Sequence, residues 1–188
     1  MKNILEEYKN SLCVFNVSEE SDHDFQRTPG TPMEFPTRAA KVMQEHNIKT
    51  VLDIGCGFGD ICSECNKIGI DAFGIDPIVD EQTLTPDKIY RGTIGSAIGT
   101  IFKKDFIVDC IVCTNIIHAG KYDGVKTFLD CAYSHSKFIL VSPPNFATGP
   151  DITGQNLESF CEEYGYENVH DFGPTHTGLV EHYLLKKL

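Results

Sequence analysis

The stretch VLDIGCGFGD, residues 51–60, decides how the rest of the chain is interpreted. It begins as an apolar run typical of a buried strand, and glycine then occupies every second position, at Gly55, Gly57 and Gly59. Glycine has no Cβ, so the backbone can take positive φ and a ligand can approach it closely. A helix predicted over 60–68 follows, and the free N–H groups at its start favour a carboxylate or phosphate. The pattern predicts a strand–turn–helix ligand site.

Strands and helices alternate through the rest of the chain. The predicted strands are 50–54, 71–76, 88–93, 106–114, 137–142, 166–172 and 178–187. The predicted helices are 36–46, 60–68, 95–104, 122–135 and 153–164. This alternation predicts an α/β fold with a doubly wound, mostly parallel seven-stranded sheet and helices on both faces. Because the last two strands are joined by a short link, we expect an antiparallel C-terminal pair at one sheet edge.

An acid ends the second predicted strand. Asp76 lies about 20 residues after Gly55, the spacing at which a carboxylate accepts hydrogen bonds from the hydroxyls of a ribose. In the dinucleotide pattern GxGxxG the third glycine would fall at Asp60, whose charge would face a pyrophosphate unfavourably. The loop is instead GxGxG, preceded by Leu52 and Asp53. These features predict a nucleoside-bearing cofactor.

The two motifs together have a family resemblance. VLDIGCGFG resembles motif I of the class I S-adenosylmethionine-dependent methyltransferases at every position, and FGIDP resembles their second motif. The predicted seven-strand pattern is similar to their fold. The resemblance covers residues 35–188 and implies a methyltransferase domain that uses S-adenosylmethionine. Residues 1–34 form an N-terminal arm, interpreted either as disordered or as a lid over the cofactor.

The resemblance also implies which residues hold the cofactor. The glycine turn would line its methionine end, Asp53 would hold its amino group, and Asp76 would bind the ribose hydroxyls. The loops after the second and third strands would flank the adenine, although many relatives carry an acid in the latter, where this chain has none. The end of the fourth strand would face the transferred methyl. The residues so implied are Asp53, Gly55, Cys56, Gly57, Gly59, Asp76, Pro77 or Ile78, Thr93, Ile94 and Thr114.

Two residues after the fourth strand are the catalytic candidates. His118 would follow that strand on the cofactor side and titrates near neutral pH, so it is the best candidate base. A base is needed only if the acceptor starts protonated. Asn115 could instead orient a substrate amine. The alternative for His118 is an ordinary loop or packed histidine, and His176 and His182 on the terminal hairpin are lesser candidates.

Two further patterns are given structural interpretations. The pairs Cys62–Cys65 and Cys110–Cys113 have the CxxC spacing of zinc ligands, but they are too far apart for a usual zinc ribbon. The second pair lies in a predicted strand, where positions three apart face opposite ways. We therefore expect core cysteines and no metal. SPPN, residues 142–145, is similar to a motif of amino-group methyltransferases but follows the wrong strand, so a rigid turn is expected.

Composition limits the partners. The chain has 188 residues, with 27 Asp and Glu against 16 Lys and Arg, a net charge of −11. Such a surface disfavours nucleic acid, whose binding gains from counterion release to basic residues. No apolar run is long enough to span a bilayer, and the charged N-terminus does not resemble a signal peptide, so we expect a cytoplasmic protein. A small-molecule acceptor is favoured; a protein or RNA acceptor, or an inactive cofactor-binding partner subunit, are the alternatives. The oligomeric state is left open.

Overall fold

A computed structural model describes residues 34–77, 84–85, 87–103, 105–114, 122–142, 157–174 and 181–188. Its helices are α1 (Glu34–Glu45), α2 (Asp60–Lys67), α3 (Ile94–Thr100), α4 (Tyr122–His135) and α5 (Leu157–Tyr164). Its strands are β1 (Thr50–Ile54), β2 (Asp71–Asp76), β3 (Ile89–Arg91), β4 (Val108–Cys113), β5 (Ser136–Val141), β6 (Tyr166–Pro174) and β7 (Glu181–Lys187). Residues 1–33 of the predicted arm lie outside the described residues. No helix in the described ranges combines the length and apolar character that crossing a membrane requires.

All seven strands belong to one sheet, in the order β3-β2-β1-β4-β5-β7-β6. β1 pairs in parallel with both β2 and β4, so the strand order reverses between β1 and β4. β7 runs antiparallel to both β5 and β6. The predicted doubly wound sheet with an antiparallel C-terminal pair at one edge is therefore confirmed. In such sheets ligands bind beyond the carboxyl ends of the strands, where the order reverses.

Buried side chains divide into two clusters, one on each face of the sheet. Successive residues of a strand point to opposite faces, so Leu52 belongs to one cluster and Val51 to the other. The Leu52 face is covered by α3, α4 and α5, and the Val51 face by α1 and α2. Helices on both faces are thus confirmed, and the site described below lies on the α1–α2 side.

The residues after α1 show why the helix ends there. Asn47 has a φ of 57°, a left-handed conformation that asparagine tolerates better than most residues. The Ile48 N–H then donates to the Met43 carbonyl at 3.0 Å, which satisfies an end carbonyl of the helix. At the other end of α1, the Arg38 guanidinium donates to the Phe172 carbonyl of β6 at 3.0 Å. Together with the buried face of α1, that bond fixes the helix on the sheet.

Several element boundaries differ from the predicted ones. β3 has three residues where six were predicted; its last pair, Asp76 with Arg91, is closed by the ladder bond from the Gly92 N–H to the Asp76 carbonyl at 2.8 Å. The next carbonyl, that of Thr93, accepts from Ala97 and so begins α3. The helix predicted over 95–104 is α3 followed by a 3₁₀ turn at Ile101–Lys103. At the far edge, β6 continues to Pro174, two residues past its predicted end.

Candidate cofactor-binding site

The glycine turn adopts a conformation that requires glycine. Gly55, Gly57 and Gly59 have φ values of 75°, 56° and 82°, in the left-handed region that side chains other than glycine rarely enter. The Gly55 N–H donates to the Ile75 carbonyl at 2.6 Å, and the Cys56 N–H donates to the same carbonyl at 3.2 Å. The turn is thereby held against the carboxyl end of β2, the strand that carries Asp76.

The space around the three glycines differs. A Cβ at Gly57 would meet none of the described residues within 4 Å, so this position is open toward that part of the chain. A Cβ at Gly59 would lie 3.1 Å from both the Ile89 Cδ1 and the Leu84 carbonyl oxygen. The Leu84 N–H in turn donates to the Phe58 carbonyl at 2.7 Å. Gly59 therefore allows close packing below the turn, while Gly57 leaves room beside it for a ligand.

A fourth glycine, which was not predicted as a site residue, supports the turn. A Cβ at Gly74, in the middle of β2, would lie 2.5 Å from the Cys56 Sγ and 2.6 Å from the Ile89 Cδ1. The Cys56 side chain therefore packs over a gap in β2, and burial is the largest cause of the raised pKa of its thiol. A glycine inside a strand is itself a signal of close approach, and the sequence DAFGID carries that signal.

Asp76 joins the turn to the neighbouring strand. Its side chain is 9% exposed, and its Oδ2 accepts a hydrogen bond from the Gly57 N–H at 2.8 Å. The carboxylate therefore fixes the conformation of the turn as well as standing where a ribose ligand was predicted. A substitution at Asp76 will consequently affect the turn, and not the ligand alone.

Asp53 is an enclosed carboxyl. It lies on β1 directly beside Gly74 of β2 and Val112 of β4. Its side chain is 2% exposed, and its buried Oδ1 has no hydrogen-bond partner among the residues that the structure describes. Burial, followed by the charges of Asp76 and Asp60, raises the pKa of the Asp53 carboxyl to about 8. A buried oxygen without a partner is costly, and such atoms are often explained by a ligand or a functional role.

A row of residues, all polar except Gly55, crosses the sheet one residue beyond the last β1–β2, β4–β5 and β5–β7 pairs. Ile54 pairs with Ile75, and Val141 pairs with both Cys113 and Tyr183. Continuing each pairing by one residue aligns the next positions on β2, β1, β4, β5 and β7. These positions are Asp76, Gly55, Thr114, Ser142 and His182.

Beyond Thr114, the row contains Ser142, which was not predicted as a site residue, and His182, which was predicted only as a lesser catalytic candidate. Ser142 is fully buried, and within the described ranges its Oγ has no hydrogen-bond partner. His182 is 2% exposed, and the centroid of its ring lies 4.0 Å from the centroid of the Phe35 ring on α1. SPPN had been interpreted only as a turn, and a single histidine in a strand gives little signal. The strand register would have located both residues, but the register cannot be read from the sequence.

The other predicted site residues are only partly described. Thr114 is 9% exposed at the end of β4, and Thr93 is exposed immediately before α3, which begins at Ile94. Pro77 is half-buried after β2. The structure thus brings the glycine turn, Asp53, Asp76 and Thr114 to one edge of the sheet. The residues that lie outside the described ranges are Ile78, Asn115, His118, residues 143–145 of SPPN, and His176.

The two CxxC pairs lie in the core, as predicted. Cys62, Cys65, Cys110 and Cys113 are all 0% exposed. Cys110 belongs to the cluster under α1 and α2 and Cys113 to the opposite one, so the second pair does face two ways. Burial is the largest cause of the raised pKa of each of these thiols. Among the described residues, no group of three or more His, Cys, Asp or Glu is arranged to hold a metal ion.

Comparison with known proteins identifies the architecture. No family model matches the sequence, and no curated protein matches it. Among solved structures, PH1948 of Pyrococcus horikoshii, a presumed RNA methyltransferase, has a TM-score of 0.58 at 16% identity over 100% of both chains. Magnesium protoporphyrin IX methyltransferase (ChlM) of Synechocystis, with bound SAM, has a TM-score of 0.58 at 10% identity, over 82% of this chain and 78% of its own. The mitomycin 7-O-methyltransferase MmcR has a TM-score of 0.56 at 18% identity, over 81% of this chain and 54% of its own. The chain has the fold of the class I S-adenosylmethionine-dependent methyltransferases.

Proposed function

We propose that this protein is a methyltransferase that uses S-adenosylmethionine. The observation that supports it most is the glycine turn at the reversal point of the sheet, fastened by its Gly57 N–H to the Asp76 carboxylate at 2.8 Å. That combination places backbone without side chains next to an acid on the neighbouring strand. ChlM, which is similar in fold, has been crystallised with SAM and with SAH.

The residues present fit such a cofactor. The orphan Oδ1 of Asp53 suits an ammonium group, which would supply the missing hydrogen bond. The open side of Gly57 leaves room for an amino-acid tail. Asp76 would accept hydrogen bonds from ribose hydroxyls while it keeps the turn in place. Pro77, Thr93 and the start of α3 would lie toward the adenine.

The bound cofactor would supply a methyl group already activated on a sulfonium. The chain's own residues would bind, orient and exclude water, which is mainly a matter of positioning. Thr114 at the end of β4 would lie beside the methyl group. Asn115 and His118, which follow it, stay predictions: Asn115 to orient an acceptor amine, and His118 to take a proton from an acceptor that starts protonated.

We further propose a small-molecule acceptor in the cytoplasm. The net charge of −11 supports it, because that charge repels a polyanionic acceptor. An RNA or protein acceptor is the second candidate. It is supported by PH1948, which is similar in fold and is described as a presumed RNA methyltransferase. A partner subunit that binds the cofactor without transferring its methyl is the third.

One experiment separates these three candidates. The protein is incubated with S-adenosylmethionine carrying a radiolabelled methyl, against separate pools of metabolites, peptides and RNA, with calorimetry of cofactor binding alongside. Label in the metabolite pool supports the proposal. Label in RNA or peptide, with salt-sensitive RNA binding in the first case, favours the second candidate. Measurable cofactor binding with no transfer to any pool would favour the inactive subunit.

A further inference from the structure

The carboxyl of Asp53 is set in surroundings that oppose its charge. It is enclosed by β2, β4 and α2, and its Oδ1 has no partner. The charges that act on it are those of two other acids, Asp76 at the end of β2 and Asp60 at the first residue of α2. A buried carboxylate beside like charges is less stable than the neutral acid, which holds a proton instead.

The remaining titratable groups around Asp53 are thiols, and they supply no positive charge. Cys56 lies in the turn, Cys62 and Cys65 lie on α2, and Cys110 and Cys113 lie on β4. The charge of Asp53 contributes to the raised pKa of every one of these thiols. The amine of Lys88 acts on Cys62 but pairs with the Asp71 carboxylate at 2.7 Å, at the far end of β2. Within the described chain, the compensating cation for Asp53 therefore has to come from a ligand.

We propose that Asp53 holds a proton in the cofactor-free protein and releases it to solvent when an ammonium-bearing nucleoside binds at the glycine turn. The inference rests on the proposed function, since it takes the cofactor's amino-acid tail as the cation. Binding and proton release are then one coupled event. The site favours a ligand that carries the ammonium over the same nucleoside without it, and affinity rises with pH.

The size of the effect follows from the two states of the carboxyl. Burial and the neighbouring acids raise the pKa of Asp53 to about 8, and a cation in contact would lower it by about 1–3 units. At about pH 7 the binding event then releases about 0.4–0.9 proton per ligand. Over the range from about pH 6 to pH 8, the affinity contributed by Asp53 rises about 5- to 50-fold.

The test counts protons by isothermal titration calorimetry at about pH 7. S-adenosylhomocysteine is titrated into the full chain in phosphate and in Tris, two buffers whose ionisation enthalpies differ, and the difference in heat gives the protons exchanged. 5′-Methylthioadenosine, which has the nucleoside and sulfur but no amino-acid tail, is the matched ligand. The matched variants are Asp53→Asn, which is neutral at every pH, and Asp71→Asn, at the exposed opposite end of β2.

We expect wild type and Asp71→Asn to release a proton to solvent when S-adenosylhomocysteine binds, and Asp53→Asn to release none. Binding of methylthioadenosine should cause close to no proton release from any of the three proteins. The ligand's own amine, partly neutral at this pH, would take up about 0.1–0.2 proton, opposite in sign, and the Asp53→Asn variant measures that uptake. If that variant does not fold, the two ligands on wild type still decide the matter.

Each failure has a distinct meaning. Tight binding of S-adenosylhomocysteine to wild type without proton release overturns the role of Asp53 and leaves cofactor binding intact. Equal release from wild type and Asp53→Asn assigns the proton to another group, and so also overturns it. No binding of S-adenosylhomocysteine to folded wild type overturns the proposed function itself.

Discussion

Replacing Asp53 with asparagine should stabilise the cofactor-free protein increasingly as the pH rises. The asparagine side chain has nearly the same shape but carries no charge, so it removes the cost of an enclosed carboxylate whose Oδ1 has no partner. Its amide hydrogens add a cost of about 1–3 kcal/mol where they find no acceptor. Because that cost does not depend on pH, the diagnostic quantity is the slope of stability against pH.

The sign and size follow from the pKa of the group. Burial, with Asp76 and Asp60, raises the pKa of Asp53 from its ordinary value of 3.8 to about 8. The folded state holds the proton more tightly, so the group's contribution to stability is complete below about pH 4 and is lost as the pH rises toward 8. The full shift of the pKa corresponds to a loss of about 6 kcal/mol in the free energy of unfolding once Asp53 is ionised, and about 4 kcal/mol of it is lost by pH 7. Relaxation of the ionised site toward water reduces the observed loss to about 2–4 kcal/mol.

The assay is urea unfolding of wild type, Asp53→Asn and Asp71→Asn at about pH 5, 6, 7 and 8. Asp71 is exposed and pairs with Lys88 at the other end of β2, so its variant should follow wild type in slope. Wild type should lose up to about 1.4 kcal/mol per pH unit relative to Asp53→Asn. Parallel profiles for wild type and Asp53→Asn would refute the reasoning, because they would mean that the carboxyl is ionised throughout at little cost.

Three further outcomes are expected. Gly74→Ala should cost about 1–3 kcal/mol of stability and weaken cofactor binding, because its Cβ would lie 2.5 Å from the Cys56 Sγ. The control is Gly99→Ala on α3, where a Cβ would meet none of the described residues within 4 Å. Thermal melts compare the stability of the two variants. Ser142→Ala should leave the melting temperature unchanged or higher, since the Oγ it removes has no partner; a drop of several degrees would reveal a hydrogen bond. The fully buried thiols should resist a thiol reagent at neutral pH until the protein is unfolded in urea, and fast labelling of the native protein would contradict their burial.

Much of the fold could be predicted from local patterns. β1, β2 and α4 have the predicted bounds, because Gly55 and Pro77 follow the two strands directly and α4 has a clear helical period. The short link before the last strand was enough to indicate an antiparallel pair at the edge. β3 was predicted too long, because the chain enters α3 directly after it, where the Thr93 carbonyl accepts from the Ala97 N–H.

The site was predictable to the extent that it is local. The glycines of the turn are visible in sequence because the turn itself requires positive φ, and Asp76 is visible because its spacing from Gly55 is that of a ribose-binding acid. Gly74 and Ser142 were missed because their importance arises between strands: one makes room for Cys56, and the other extends the polar row past Thr114. The orphan Oδ1 of Asp53 likewise depends on what surrounds it in three dimensions.

The most direct test of the account is calorimetry of S-adenosylmethionine and S-adenosylhomocysteine with wild type, Asp76→Ala and Asp71→Ala. Circular dichroism should confirm that each is folded, because Asp76→Ala also removes the acceptor of the Gly57 N–H and so costs about 1 kcal/mol. The account predicts one site per chain in wild type and Asp71→Ala, and binding weaker by about tenfold or more in Asp76→Ala. Folded wild type that gives no heat with either nucleoside, or affinity unchanged in Asp76→Ala, would contradict it.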